Sequence, residues 1–165
     1  MAAGERAMTL PQGDLRLLET GVAQRLLASP LPARLAYTGR DGAPRVVPIW
    51  FQWTGEELVM GSLPGAAKVP AIRAKPDVAI TIDTEGFPPD VLLVRGRATV
   101  ADVQGVVPEY AEAARRYLGE GPAADYLAQL DRPGARMHRI AVRPAWVAVL
   151  DFQTRFPGVL GGVRG

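Results

Sequence analysis

The sequence predicts a mainly β fold with peripheral helices: an antiparallel barrel, closed or split. Three observations predict it. Residues 34–100 divide into short apolar runs separated by Asp-Gly, Thr-Gly and Gly-Phe-Pro-Pro steps, the punctuation of hairpins and tight loops. Two more runs, Arg136–Val142 and Trp146–Asp151, close the chain. Helical periodicity is confined to the margins and to one segment after residue 100. Short strands with helices outside them pack most simply as a curled sheet, which leaves few free edges. The 165 residues suit a single domain. Its expected core runs from about 15 to 151, between loose termini (residues 1–12 and the tail from Arg155).

The elements follow in order. Asp14 is placed to cap a helix running to Ala28, with Leu15, Leu18, Val22, Leu26 and Leu27 at helical spacing. Ser29-Pro-Leu-Pro32 stops it. Arg34–Thr38 is the first strand, Gly39–Gly42 a hairpin turn, and Arg45–Trp53 the returning strand. Pro48 lies inside that strand and cannot donate to a ladder, which predicts an edge, a bulge or a place where a ligand replaces the neighbouring strand. Leu58–Ser62 is the next strand, and Ala66–Ala74 a short helix that Pro70 either interrupts or enters in its first turn. Val78–Asp83 and Val91–Val100 are strands, and Gly96 in the second signals a bulge or a close backbone approach. Val106–Leu118 and Ala123–Leu130 read as helices. Several strands are apolar on both faces, so one face needs cover outside the barrel; a second copy of the chain is the natural one.

Composition excludes several chemistries. There are no cysteines, hence no disulfide, thiolate nucleophile or thiolate metal site. One histidine, His138, cannot build a His-rich metal centre. Basic residues are spread along the chain with a formal net charge of +2, so no nucleic-acid face is expected. No apolar run approaches the roughly 18 residues of a membrane span, and a cytoplasmic, membrane-free protein is expected. Paired carboxylates such as Glu56-Glu57 fall in turns, and no motif names a catalytic acid, base or nucleophile. What remains is Gly61-Ser62 at a strand end and Lys68 on the helix after it, the parts of a phosphate grip. Arg73 follows on the same helix, and Arg45 on an earlier strand.

The run Leu35–Phe51, with its Asp-Gly turn and Pro-Arg-Val-Val-Pro-Ile-Trp strand, resembles the pyridoxamine-phosphate-oxidase-like flavin and deazaflavin oxidoreductases. The order of Gly61-Ser62, Ala67-Lys68-Val69 with Ile72-Arg73, Lys75-Pro-Asp-Val-Ala79 and Val94-Arg-Gly-Arg-Ala98 extends the resemblance over roughly residues 15–151. Ala67 stands where that family often carries Ser, Thr or Arg. The resemblance implies an FMN-binding split barrel-like fold and a homodimer with FMN or a deazaflavin (F420) at its interface. It implies hydride transfer between that cofactor and a small organic substrate. On it, Val46, Val47, Pro48, Ile49 and Trp50 line the tricyclic ring and Ser62 and Lys68 hold the phosphate, with Arg45 beside the cofactor's polar edge or phosphate, Arg73 facing the same anion as Lys68, and Gly61 and Ala67 completing the cofactor-binding set. The alternative on the same fold is a non-catalytic carrier of a flavin, a deazaflavin or a haem-type ligand.

Overall fold

A computed structural model describes residues 10–157. Its seven strands form one antiparallel sheet: β1 (Ala33–Thr38), β2 (Pro44–Ile49), β3 (Gln52–Trp53), β4 (Leu58–Ser62), β5 (Asp77–Asp83), β6 (Val91–Gln104) and β7 (Arg136–Leu150). The order across the sheet is β2-β1-β5-β6-β7-β4-β3. Strands β2 and β3 are consecutive in the chain yet lie at opposite ends of the sheet, joined only by Trp50-Phe51. The barrel is split at that junction. The expected single strand Arg45–Trp53 is thus two strands, because its halves pair with different partners, β1 and β4. Pro48 is on an edge, as its missing N–H predicts.

The two expected closing strands are one. Strand β7 passes through Pro144 because the ladder slips there: Arg95 pairs with Trp146 and Gly96 with Pro144, leaving Ala145 as the extra residue. Gly96 is required at this bulge, since a Cβ would collide with the Arg143 carbonyl oxygen.

The expected helix 14–28 is also divided. Asp14 caps a short 3-10 turn, Leu15–Glu19, and Thr20 then adopts an extended conformation. Thr20 Oγ1 accepts the Ala23 N–H at 3.3 Å and starts helix α1, Gly21–Ala28. The remaining helices are α2 (Lys68–Ala74), α3 (Pro108–Leu118) and α4 (Glu120–Leu130). The expected loose ends are partly packed. Gln12 both donates to Val149 O (2.7 Å) and accepts from Val149 N (3.0 Å), and the buried Arg155 donates to Leu10 O at 2.8 Å. The rest of the terminal expectation lies outside the described residues.

Leu35, Phe51, Leu58, Met60, Ile80, Ile82, Leu92, Val94, Ile140 and Val142 fill the barrel. Leu26 and Leu27 of α1 and Val69 and Ile72 of α2 join the same core. Helices α3 and α4 serve the other side of β4 and β7, where Val107 and Tyr110 pack on Val59, Met137 and Ala141. No helix among the described residues is long and apolar enough to cross a membrane.

Candidate functional site

A cavity of about 530 Å3 opens where the barrel splits. The end of β2 supplies Pro48 and Ile49, the junction Trp50, the end of β4 Gly61 and Ser62, α2 Lys68, and α3 Tyr110. Residues from distant parts of the chain meet here because β2 and β4 reach the split from opposite ends of the sheet.

One wall carries unsatisfied polar chemistry. Ser62 is 3% exposed, and its Oγ has no hydrogen-bond partner among the described residues. A buried hydroxyl left unpaired costs on the order of 1–3 kcal/mol, so its presence asks for a partner. Lys68 is half-buried and forms no ion pair or hydrogen bond among the described residues. Burial pushes its ammonium pKa down, because nothing nearby compensates the buried charge. An unpaired ammonium beside an unpaired hydroxyl fits a phosphate group, which accepts charge-assisted bonds from both.

The cavity also has an aromatic side. Trp50 stacks on Tyr117 with ring centroids 5.1 Å apart and planes 7° apart, and Tyr110 and Tyr126 lie within 6 Å of it. The Tyr110 and Tyr126 hydroxyls are 2.7 Å apart, and burial first, then that bond, pushes the Tyr110 phenol well above its ordinary range. Gly61 makes room for this wall: a Cβ there would lie 2.6 Å from Tyr110 Cδ2 and 2.8 Å from Met137 Cε. Arg116 fixes the junction itself. Its guanidinium donates to Ser29 O at 3.0 Å and also to Phe51 O and Gln52 Oε1. Tyr117 Oη donates to Leu31 O at 2.8 Å.

Of the residues expected from sequence, Pro48, Ile49, Trp50, Gly61, Ser62 and Lys68 come together around this cavity. The others stand apart from it. Val46 is 66% exposed and Val47 packs against the core, as alternation along β2 requires. Arg45 and Ala67 border a separate, smaller hollow, where Arg45 pairs with Asp41 at 2.7 Å. Arg73 pairs with Asp102 at 2.7 Å. It lies five residues beyond Lys68, a rotation of about 140° that points it away from the Lys68 side. Sequence reasoning missed Tyr110, Tyr117, Tyr126 and Arg116. The available signal was Tyr110 and Tyr117, seven apart on one helical face.

Fold and cavity define a split-barrel protein whose cavity gathers a half-buried ammonium, a buried hydroxyl and aromatic side chains. The family described as pyridoxamine 5'-phosphate oxidase matches residues 20–151, and the chain belongs to it. Among solved structures, an F420 reductase is 31% identical, with a TM-score of 0.60 over 76% of this chain and 94% of that one. A conserved hypothetical protein from Mycobacterium tuberculosis is 16% identical, with a TM-score of 0.61 over 93% of this chain and 87% of that one. A heme binding protein from Mycobacterium smegmatis is 18% identical, with a TM-score of 0.57 over 81% of this chain and 54% of that one. These last two likenesses establish the fold alone. No curated protein sequence matches the chain.

Proposed function

We propose that this protein is a homodimeric reductase that binds FMN or F420 at the split and transfers a hydride between that cofactor and a small organic substrate. The observation that carries the reading is that Lys68 and Ser62 Oγ, both without a partner among the described residues, line the same cavity as Trp50. Lys68 and Ser62 would hold the cofactor's phosphate. Pro48, Ile49 and Trp50 would border its ring. The cofactor supplies the redox chemistry; this chain's residues bind, orient and exclude water. The likeness to an F420 reductase supports the deazaflavin over FMN. A groove of about 540 Å3 on the outer sheet face, lined by Ala36, Val78, Ala79 and Ala145 among others, supports a second copy as cover.

Titration of the purified protein with FMN and with F420, followed by ligand fluorescence, tests the reading. Micromolar binding of one is expected, and binding of neither overturns it. A non-catalytic carrier is the second reading. It is favoured by the cavity lining, where Lys68 and Tyr110 are the only titratable side chains and the Tyr110 phenol holds its proton. Reduction of nitroaromatic or enone test substrates by the loaded protein separates enzyme from carrier.

A further inference from the structure

The polar side chains around the cavity differ in what they can still bind. Ser62 and Lys68 answer to the phosphate of the reading above. Two polar atoms of the lining are left over: the Trp50 indole N–H and the Tyr110 hydroxyl. An indole N–H only donates, and a phenol both donates and accepts. Among the described residues, no side chain of the lining carries a carboxylate, an amide or an imidazole, and the remainder is apolar. With the ammonium engaged, the cavity therefore offers hydrogen-bond donors to an uncharged molecule and little to receive a donor from it.

Tyr110 is also the residue of the lining that a second hydroxyl supports. It stands on α3 with its ring against Gly61 and 5.9 Å from the Trp50 ring, centroid to centroid. Its hydroxyl lies 2.7 Å from that of Tyr126 on α4. Two hydroxyls bonded to each other spend one of their two protons, and the other proton has no acceptor among the described residues. Tyr110 lines the cavity and Tyr126 does not. When Tyr126 donates to Tyr110, the unspent O–H is the one on the cavity's own tyrosine, and a hydroxyl that accepts one bond is a stronger donor of the next. Burial first, and the Tyr126 bond after it, push the Tyr110 phenol above its ordinary range, so it acts as a donor and keeps its proton.

We propose that Tyr110, supported by Tyr126, is the specificity-determining donor of the cavity: it binds a carbonyl or nitro oxygen of an uncharged substrate and so fixes which end of the molecule faces the reaction. An oxygen that gains negative charge during reduction is held more tightly as the charge grows, which favours this class over merely apolar compounds. An alcohol of the same carbon frame could donate to Tyr110 only by reversing the pair, which turns the unspent proton onto Tyr126, outside the lining.

The proposal rests on the cofactor reading above, and two measurements keep the two apart. The first is FMN and F420 binding by ligand fluorescence. Tyr110→Phe keeps the ring against Gly61 and should bind the cofactor within about twofold of the parent. The second is the infrared stretch of isotope-labelled cyclohexenone and nitrobenzene bound to the protein, with and without cofactor. The carbonyl and nitro frequencies should be lower in the parent than in Tyr110→Phe, and both compounds should bind about two- to tenfold more weakly to the variant. Cyclohexenol should bind the parent more weakly than cyclohexenone. Tyr126→Phe leaves the Tyr110 O–H in place without its support and should keep the frequency shift but reduce it. Equal frequencies in parent and Tyr110→Phe, or no binding of either compound, overturn the proposal; with cofactor bound, the cofactor reading still stands. A Tyr110-dependent shift in a protein that binds neither cofactor keeps the donor and overturns the cofactor reading. Should Tyr110→Phe not fold, Tyr126→Phe decides, and an undiminished shift there overturns the supported pair.

Discussion

Lys68 and Arg73 stand on the same seven-residue helix and carry the same charge, yet their surroundings are opposite. Lys68 is half-buried against the cavity with no anionic partner among the described residues, and burial depresses its pKa. Arg73 is exposed on the far side of the helix and is spent on Asp102. The same division runs through the rest of the site. Arg116, Tyr117 and Arg45 have their donors engaged by carbonyls or carboxylates, whereas Ser62 Oγ is engaged by nothing. A saturated polar group holds structure in place, and an unsaturated one at a cavity wall is a place for a ligand. Basic character alone does not separate the two.

The largest effect should come from cutting the saturated side. Arg116→Leu removes the donor to Ser29 O, Phe51 O and Gln52 Oε1, so the loss should be about 2–3 kcal/mol of stability. Thermal unfolding should show a midpoint lower by several degrees, and the Trp50 fluorescence should shift as the junction loosens. A variant as stable as the parent would show that the junction does not depend on this clamp. On the unsaturated side, Lys68→Ala should leave stability nearly unchanged and weaken FMN or F420 binding by about ten- to a hundredfold, the worth of one charge-assisted contact of about 1.5–3 kcal/mol. A loss of folding with binding intact would reverse the assignment of the two sides.

A third variant tests the saturated class through pH. Glu109 accepts from Arg139 at 2.6 Å, and that bond holds its carboxyl below the ordinary value of 4.5. A lowered folded-state value means that the stabilisation is present above the unfolded carboxyl's range and is lost as pH falls through the folded one. Acid unfolding of the parent and of Glu109→Gln should therefore differ by on the order of 1 kcal/mol at neutral pH and converge below pH 4.5. Curves that stay parallel into acid would show that the pair contributes through packing rather than charge.

The strands were legible because β-branched runs and Asp-Gly turns are local signals, and Pro48 and Gly96 announced the edge and the bulge through their own backbone chemistry. The break at Trp50-Phe51 was not legible, since it arises from two strands choosing partners far away in sequence. For the same reason Pro144 looked like a strand terminator and is a bulge residue. At the site, Ser62 and Lys68 could be read from their place at a strand end and on the following helix. Whether a side chain is already spent could not. That is why Arg45 and Arg73 looked equivalent to Lys68, and why Arg116, which works by closing three bonds across the split, went unseen.

The smallest effects should come from the arginines that the sequence placed in the site and the structure places outside it. Arg45→Ala breaks an ion pair with Asp41 whose side chains are 45% and 59% exposed, a setting in which such pairs contribute about 0–1 kcal/mol. Arg73→Ala removes one of the two partners of Asp102 and leaves its bond to His138. Each variant should bind FMN or F420 within about threefold of the parent at neutral pH, since neither guanidinium lines the cavity. Raising salt should erase even that difference for Arg45, because an exposed pair is screened, while the deficit of Lys68→Ala should shrink less. A loss at Arg45 or Arg73 as large as that at Lys68 would mean that the ligand extends past Ala67 into the neighbouring hollow, and that the boundary between spent and free charge has been drawn one residue too far in.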